Sequence, residues 1–137
     1  MLIALLLSTV LFAGAIGSHL TFLRTAHRMV GGDPSLLNKL GASLIVFLSH
    51  LLIAGWFAIG FWVGAKWGLG GFDNIGGMGW MDYYDFSLVN VTTLGLGAIY
   101  PTQHLRVIAG IEALTGFLLI SCSAQLFWSM MKKGDNS

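Results

Sequence analysis

The residues with the most specific chemical potential form one run, Thr92-Thr93-Leu94-Gly95-Leu96-Gly97-Ala98-Ile99-Tyr100-Pro101. Glycine recurs there at alternate positions, 95 and 97. Because glycine adopts positive φ without a Cβ penalty, alternating it with L-residues lets successive carbonyl groups face one way. A row of such oxygens can replace the hydration shell of a monovalent cation, and Thr93 would add a hydroxyl at one end. A second candidate is Glu112, which sits inside an apolar run from Leu105 to Trp128. An intramembrane carboxylate is a functional candidate by default. It can be satisfied by Asn90 or by a threonine such as Thr92, or it can remain titratable. The four histidines are His19, His27, His50 and His104. His19 and His27 are eight apart and share a helix face, a spacing that invites a metal or haem. No carboxylate or thiol accompanies them, so no histidine is expected to be a ligand. No hydrolase triad, phosphate-binding loop, zinc spacing or dinucleotide fingerprint is present. The chain is not expected to be an enzyme, and no cofactor is expected.

Elements that would position these residues follow from composition. Of the 137 residues, 55% are hydrophobic and 9% charged, with mean hydropathy +0.78. A soluble domain carries about 25% charged residues, so lipid is the natural solvent for this chain. A net charge of +1 says nothing useful about nucleic acid, but there is no basic tract, and no nucleic-acid partner is expected. The lone Cys122 excludes an intrachain disulfide framework and reads as a small packing residue.

Three stretches are long and apolar enough for the roughly 20 residues that a membrane helix needs. They run from Met1 to about Leu23, from about Leu40 to Val63 and from about Leu105 to Trp128. The first lacks a basic leading region and a small-residue cleavage site before His19, so it reads as a span, not a signal peptide. Arg24, Arg28 and Lys39 in the first connection, with Lys132 and Lys133 in the tail, predict that both lie in the cytoplasm and that the N-terminus lies outside. Asp33 is expected to cap the second helix and Pro34 to open it. Trp56, Trp62, Trp67, Trp80, Tyr83 and Tyr84 are expected to form an interfacial belt at the outer end.

Residues 64–79 hold seven glycines in sixteen positions and read as an irregular loop. From Asp82 to Thr93 the sequence predicts a helix of about three turns, with Asp82 as N-cap and Asp85 near the positive helix end. A helix that short cannot cross a bilayer. Placed between two spans, it reads as re-entrant, and its C-terminal partial charge would favour a cation beyond it.

The run TTLGLGAIYP resembles the TTVGYGDxYP signature of the potassium-channel superfamily, and LRVIAGIEALTGFLLISCSAQLFW resembles the inner helix that follows it there. The likeness covers roughly residues 40–131 and is strongest over 86–121. With its additional N-terminal span and its histidine-bearing SHLLIAGWFAIGFW, the whole is similar to small bacterial three-span ion channel proteins. The resemblance implies an all-α membrane protein of three transmembrane helices. A re-entrant pore helix and filter loop would lie between the second and third, and the pore would be a homotetramer. It further implies the following division: an additional helix over 1–30, a pore domain over 34–131 and a short cytoplasmic tail over 132–137. Within the pore domain, the outer helix is 34–66, the glycine-rich loop 67–81, the pore helix 82–93, the filter 93–98 and the inner helix 104–131. Thr93, Leu94, Gly95, Leu96 and Gly97 would coordinate a permeant potassium ion. Thr92, Asn90, Glu112 and Gly116 would support the filter or take part in gating. Glu112 falls in a GxEALxG stretch common in the family, and Gly116 falls where its hinge glycine lies, with close helix contact as the other explanation. Gly110 reads as packing alone. The implied partners are three further copies and membrane lipid, with no soluble regulatory domain in this chain; the implied site is the cell inner membrane.

Two positions depart from the family pattern. Leu96 stands where the aromatic of GYG is usual and cannot make its polar contact. Ala98 stands where an aspartate is usual, which removes a carboxylate ring from the outer mouth. The alternative function is therefore a non-conducting or weakly selective scaffold subunit that keeps the pore fold. A histidine-ligated redox subunit is a third possibility, for which visible absorbance is the discriminating observation.

Overall fold

The computed structural model describes residues 1–32, 35–73, 76–95 and 97–134. Asp33, Pro34, Asn74, Ile75, Leu96 and the tail from residue 135 lie outside the described residues, and with them the expected Asp33 cap, the Pro34 helix start and the Leu96 filter position.

Long helices form where the sequence is apolar: α1 (Leu2–Gly32), α2 (Leu36–Lys66) and α4 (Leu105–Gly134). All three are long and apolar enough to cross a membrane. At 1.5 Å per residue, α1 and α2 reach about 46 Å, so their ends extend past a hydrocarbon core of about 30 Å. The short helix is α3 (Trp80–Val91), and two two-residue strands, β1 (Phe72–Asp73) and β2 (Tyr100–Pro101), pair antiparallel.

Local chemistry sets the boundaries. Ser35 is the N-cap of α2, its hydroxyl accepting from the Asn38 N–H at 3.4 Å. At the other end, Leu69 N donates to Gly64 O and Gly68 N to Ala65 O, with Gly68 at φ 70°. This is the glycine-terminated double bond that stops a helix. The short helix begins two residues before the predicted start. Asp82 is not its N-cap but its third residue, and its carboxylate accepts from the Gly79 N–H at 2.7 Å. Its last helical residue is Val91, because Thr93 turns to φ 59°. The glycine-rich stretch is not wholly irregular, since β1 within it ties to β2 beyond the glycine-alternating run.

α1 lies along α2 and α4, and α3 is held between α2 and α4. One apolar cluster surrounds α3, built on Ile53, Phe57, Phe61, Val91, Leu105 and Ile108, and extends to Leu11 of α1. A second, at the far end, joins Ala26, Val30, Ala42, Val46, Leu126 and Met130. Small residues permit close helix contact, as lipid-embedded helices require; a Cβ at Gly60 would overlap the Leu11 side chain. The aromatic belt is smaller than expected. Trp56, Trp62, Trp67 and Trp80 are exposed, and Trp56 Nε1 also donates to Leu11 O of α1 at 3.1 Å. Tyr84 donates to Leu51 O at 3.3 Å, and Tyr83 is buried against Phe72 at 5.6 Å between ring centroids. A polar tip near a neighbouring helix finds a carbonyl in preference to headgroup water.

Candidate functional site

Three polar side chains meet where α3 touches α4. Glu112 of α4 is fully buried. Asn90 Nδ2 donates to Glu112 Oε2 at 2.6 Å and to Ala109 O at 2.8 Å. Ser87 Oγ lies within hydrogen-bond distance of Glu112 Oε1 and, at 2.6 Å, of Ala54 O on α2. One hydroxyl proton faces two acceptors, so the carboxylate and α2 share Ser87. Three helices are thereby tied together through Glu112, which has partners at both oxygens, as a buried carboxyl group requires. Ser87 was not among the candidates read from sequence. Its position one turn before Asn90 on the same helix face was the signal for it.

Thr92 does not reach this cluster. Its hydroxyl bonds back to Leu88 O at 3.2 Å and Val89 O at 2.9 Å of its own helix. Gly116 explains itself by contact: a Cβ there would overlap the Val91 carbonyl oxygen at the end of α3. It is 11 residues beyond Leu105 along an unbroken α4, so the C-terminal end of α3 lies about 16 Å along that helix. Gly110, by contrast, has nothing within 4 Å of a Cβ, so packing within the chain does not account for it.

From that end the chain enters the glycine-alternating run. Thr93 has φ 59° and Gly95 φ 62°. Left-handed backbone therefore falls at alternate positions, Thr93 and Gly95, and its first member is not a glycine. Positive φ at a β-branched residue is a genuine outlier, and it costs about 1–3 kcal/mol unless the surroundings impose it. Gly97 N donates to Gly95 O at 3.1 Å, so one carbonyl already holds a hydrogen bond, with one lone pair remaining. Thr93, Leu94, Gly95, Gly97 and Ala98 are all exposed in the single chain. Behind the run lies a cavity of about 320 Å³ lined by Asp85, Phe86, Asn90, Gly95, Gly97 and Tyr100 among others.

No cluster of three metal-ligating side chains occurs among the described residues. His19 is fully buried between the two apolar clusters. Its Nδ1 is 2.9 Å from Ser49 Oγ and its Nε2 is 3.1 Å from Ser123 Oγ. Both hydroxyls also reach a carbonyl of their own helix, Ser49 to Val46 O at 2.8 Å and Ser123 to Leu119 O at 2.9 Å, so the one N–H of a neutral imidazole can sit on either ring nitrogen. His50 packs edge-on at 4.9 Å and bonds Val46 O through Nδ1 at 2.8 Å. This polar layer joins α1, α2 and α4. It could not be read from sequence, because its members lie 30 and 104 positions apart.

Residues 44–133 match the model of a family described as "Ion channel", a family of potassium-channel-type pores. No curated protein and no solved structure gives a significant match.

Proposed function

Because this chain belongs to that ion-channel family, as a multi-pass membrane protein, we propose that four copies assemble into a potassium-preferring cation pore. In this reading α2 is the outer helix, α3 a re-entrant pore helix and α4 the inner helix, with α1 as an additional peripheral helix. The backbone oxygens of Thr93, Leu94, Gly95, Leu96 and Gly97 coordinate the permeant ion, exchanging water for carbonyl groups. The observation that carries it is the exposed, left-handed pair Thr93 and Gly95, directly after a helix of only 12 residues whose end abuts Gly116 of α4. Irregular backbone within a membrane is supportable only where it is buried in protein or lines an aqueous path, and exposure of this run in the single chain favours the second. The negative end of α3 favours a cation there. Glu112 braces the pore helix through Ser87 and Asn90. The basic residues of the first connection and the tail favour a cytoplasmic C-terminus in an inner membrane.

A non-conducting scaffold subunit is the second reading, and the Gly97-to-Gly95 hydrogen bond favours it, since that bond engages a coordinating carbonyl. Flux from liposomes separates the two. Potassium passing well above the leak of protein-free vesicles, and faster than sodium, is the expected result. No flux above that leak refutes the pore, and equal rates for both ions refute its selectivity.

A further inference from the structure

Toward the C-terminal end of α4, α1 and α4 leave an open groove between them. Arg24, His27 and Arg28 line it from α1, at spacings that share one helix face. Across from them, Gln125 and Ser129 of α4 add polar groups. Neither arginine has a hydrogen-bond or carboxylate partner among the described residues. Leu20, Leu23 and Leu126 continue the groove away from the arginines as an apolar wall, with Leu20 43% exposed.

Its depth is fixed by neighbours. Trp128, one turn from Gln125, is exposed, and Lys132 Nζ lies 5.6 Å from its ring. A tryptophan and a lysine together mark a headgroup boundary. The arginines also precede the Gly32 end of α1 by four and eight residues, or about 6 and 12 Å. Charge therefore sits at headgroup level, and the apolar wall runs from there into the hydrocarbon.

We propose that this groove is a binding site for one anionic phospholipid per chain, its phosphate held by Arg24 and Arg28 and an acyl chain lying along Leu20, Leu23 and Leu126. Two arginine forks match phosphate oxygens, and basic pockets between membrane helices select anionic headgroups. The lipid bridges the N-terminal helix and the helix that follows the glycine run, two elements also joined through His19 and Ser123. Binding at this groove does not require conduction.

Delipidated, detergent-solubilised protein is titrated with dioleoylphosphatidylglycerol or dioleoylphosphatidylcholine, and bound lipid is counted by native mass spectrometry. Each arginine near the surface contributes about 1 kcal/mol, so the two together predict an approximately 30-fold preference for the anionic lipid. Arg24→Gln with Arg28→Gln abolishes the preference, and Lys39→Gln, outside the groove, leaves it in place. Cys122, exposed on the α4 wall of the groove, offers a second variant: Cys122→Trp fills the groove with both arginines intact and lowers binding of the anionic lipid, which keeps the test decisive if the arginine variant aggregates. Equal binding of the two lipids, equal loss on Lys39→Gln, or full binding by Cys122→Trp overturns the proposal. Displacement of the lipid by millimolar inorganic phosphate also overturns it, by reducing the site to one for a small anion.

Discussion

Gly116→Ala places a methyl group against backbone, which cannot rotate away as a side chain can. The new Cβ would overlap the Val91 carbonyl oxygen and come within 3.0 Å of Val91 Cγ2. Relief requires α3 to lift off α4, yet α3 is tethered on both sides. Asn90 holds Ala109 O at 2.8 Å, Ser87 holds Ala54 O at 2.6 Å and Tyr84 holds Leu51 O at 3.3 Å. Overpacking costs about 1–3 kcal/mol, and losing one or two tethers adds about 1 kcal/mol each. Gaining alanine in a helix returns about 1 kcal/mol. The net expectation is a loss of about 1–4 kcal/mol. Gly17→Ala is the control, because a Cβ there meets nothing within 4 Å; it should be neutral or gain up to about 1 kcal/mol. Equilibrium unfolding in mixed micelles, followed by tryptophan fluorescence, reads both. If the two variants unfold alike, the contact between Val91 and Gly116 does not hold α3 in place.

Asn90→Ala removes both side-chain bonds of Asn90 and leaves Glu112 Oε2 without that donor. It should cost about 1–3 kcal/mol in the same unfolding assay, whereas Glu112→Gln, which keeps an acceptor for Asn90, should cost less; the reverse order would remove Glu112 as the brace. Ala98→Asp restores a carboxylate beside the proposed mouth. Potassium flux should rise at 0.01 M salt, where screening reaches about 30 Å, and the gain should vanish at 1 M, where it reaches about 3 Å. A gain independent of salt would place residue 98 away from the ion path.

The three spans were legible because lipid admits few alternatives: a chain this apolar must satisfy its backbone within helices. The stop at Gly68 was legible in principle, since glycine after a helix has a specific geometric use. Glu112 drew attention as a carboxylate in an apolar run, and Asn90 was one of the partners weighed for it. What sequence concealed has physical causes. Aspartate suits both the N-cap and the third helical position, so Asp82 was assigned the wrong one. Positive φ is disfavoured at a β-branched residue, so nothing local marks Thr93, held between α3 and the following run, as the residue that takes the left-handed turn. Trp56 has the composition of a belt residue but meets the Leu11 carbonyl, and only the docking of α1 on α2 decides that. The His19 layer depends on three helices whose relative rotation no local pattern encodes.

The central claim is that backbone oxygens from several copies surround one axis. Imaging the purified, lipid-embedded particle tests it most directly. The account predicts fourfold symmetry, with Thr93 through Gly97 facing the axis and density for an ion between them. A monomeric particle, or an assembly in which that run lies on the perimeter, would contradict it.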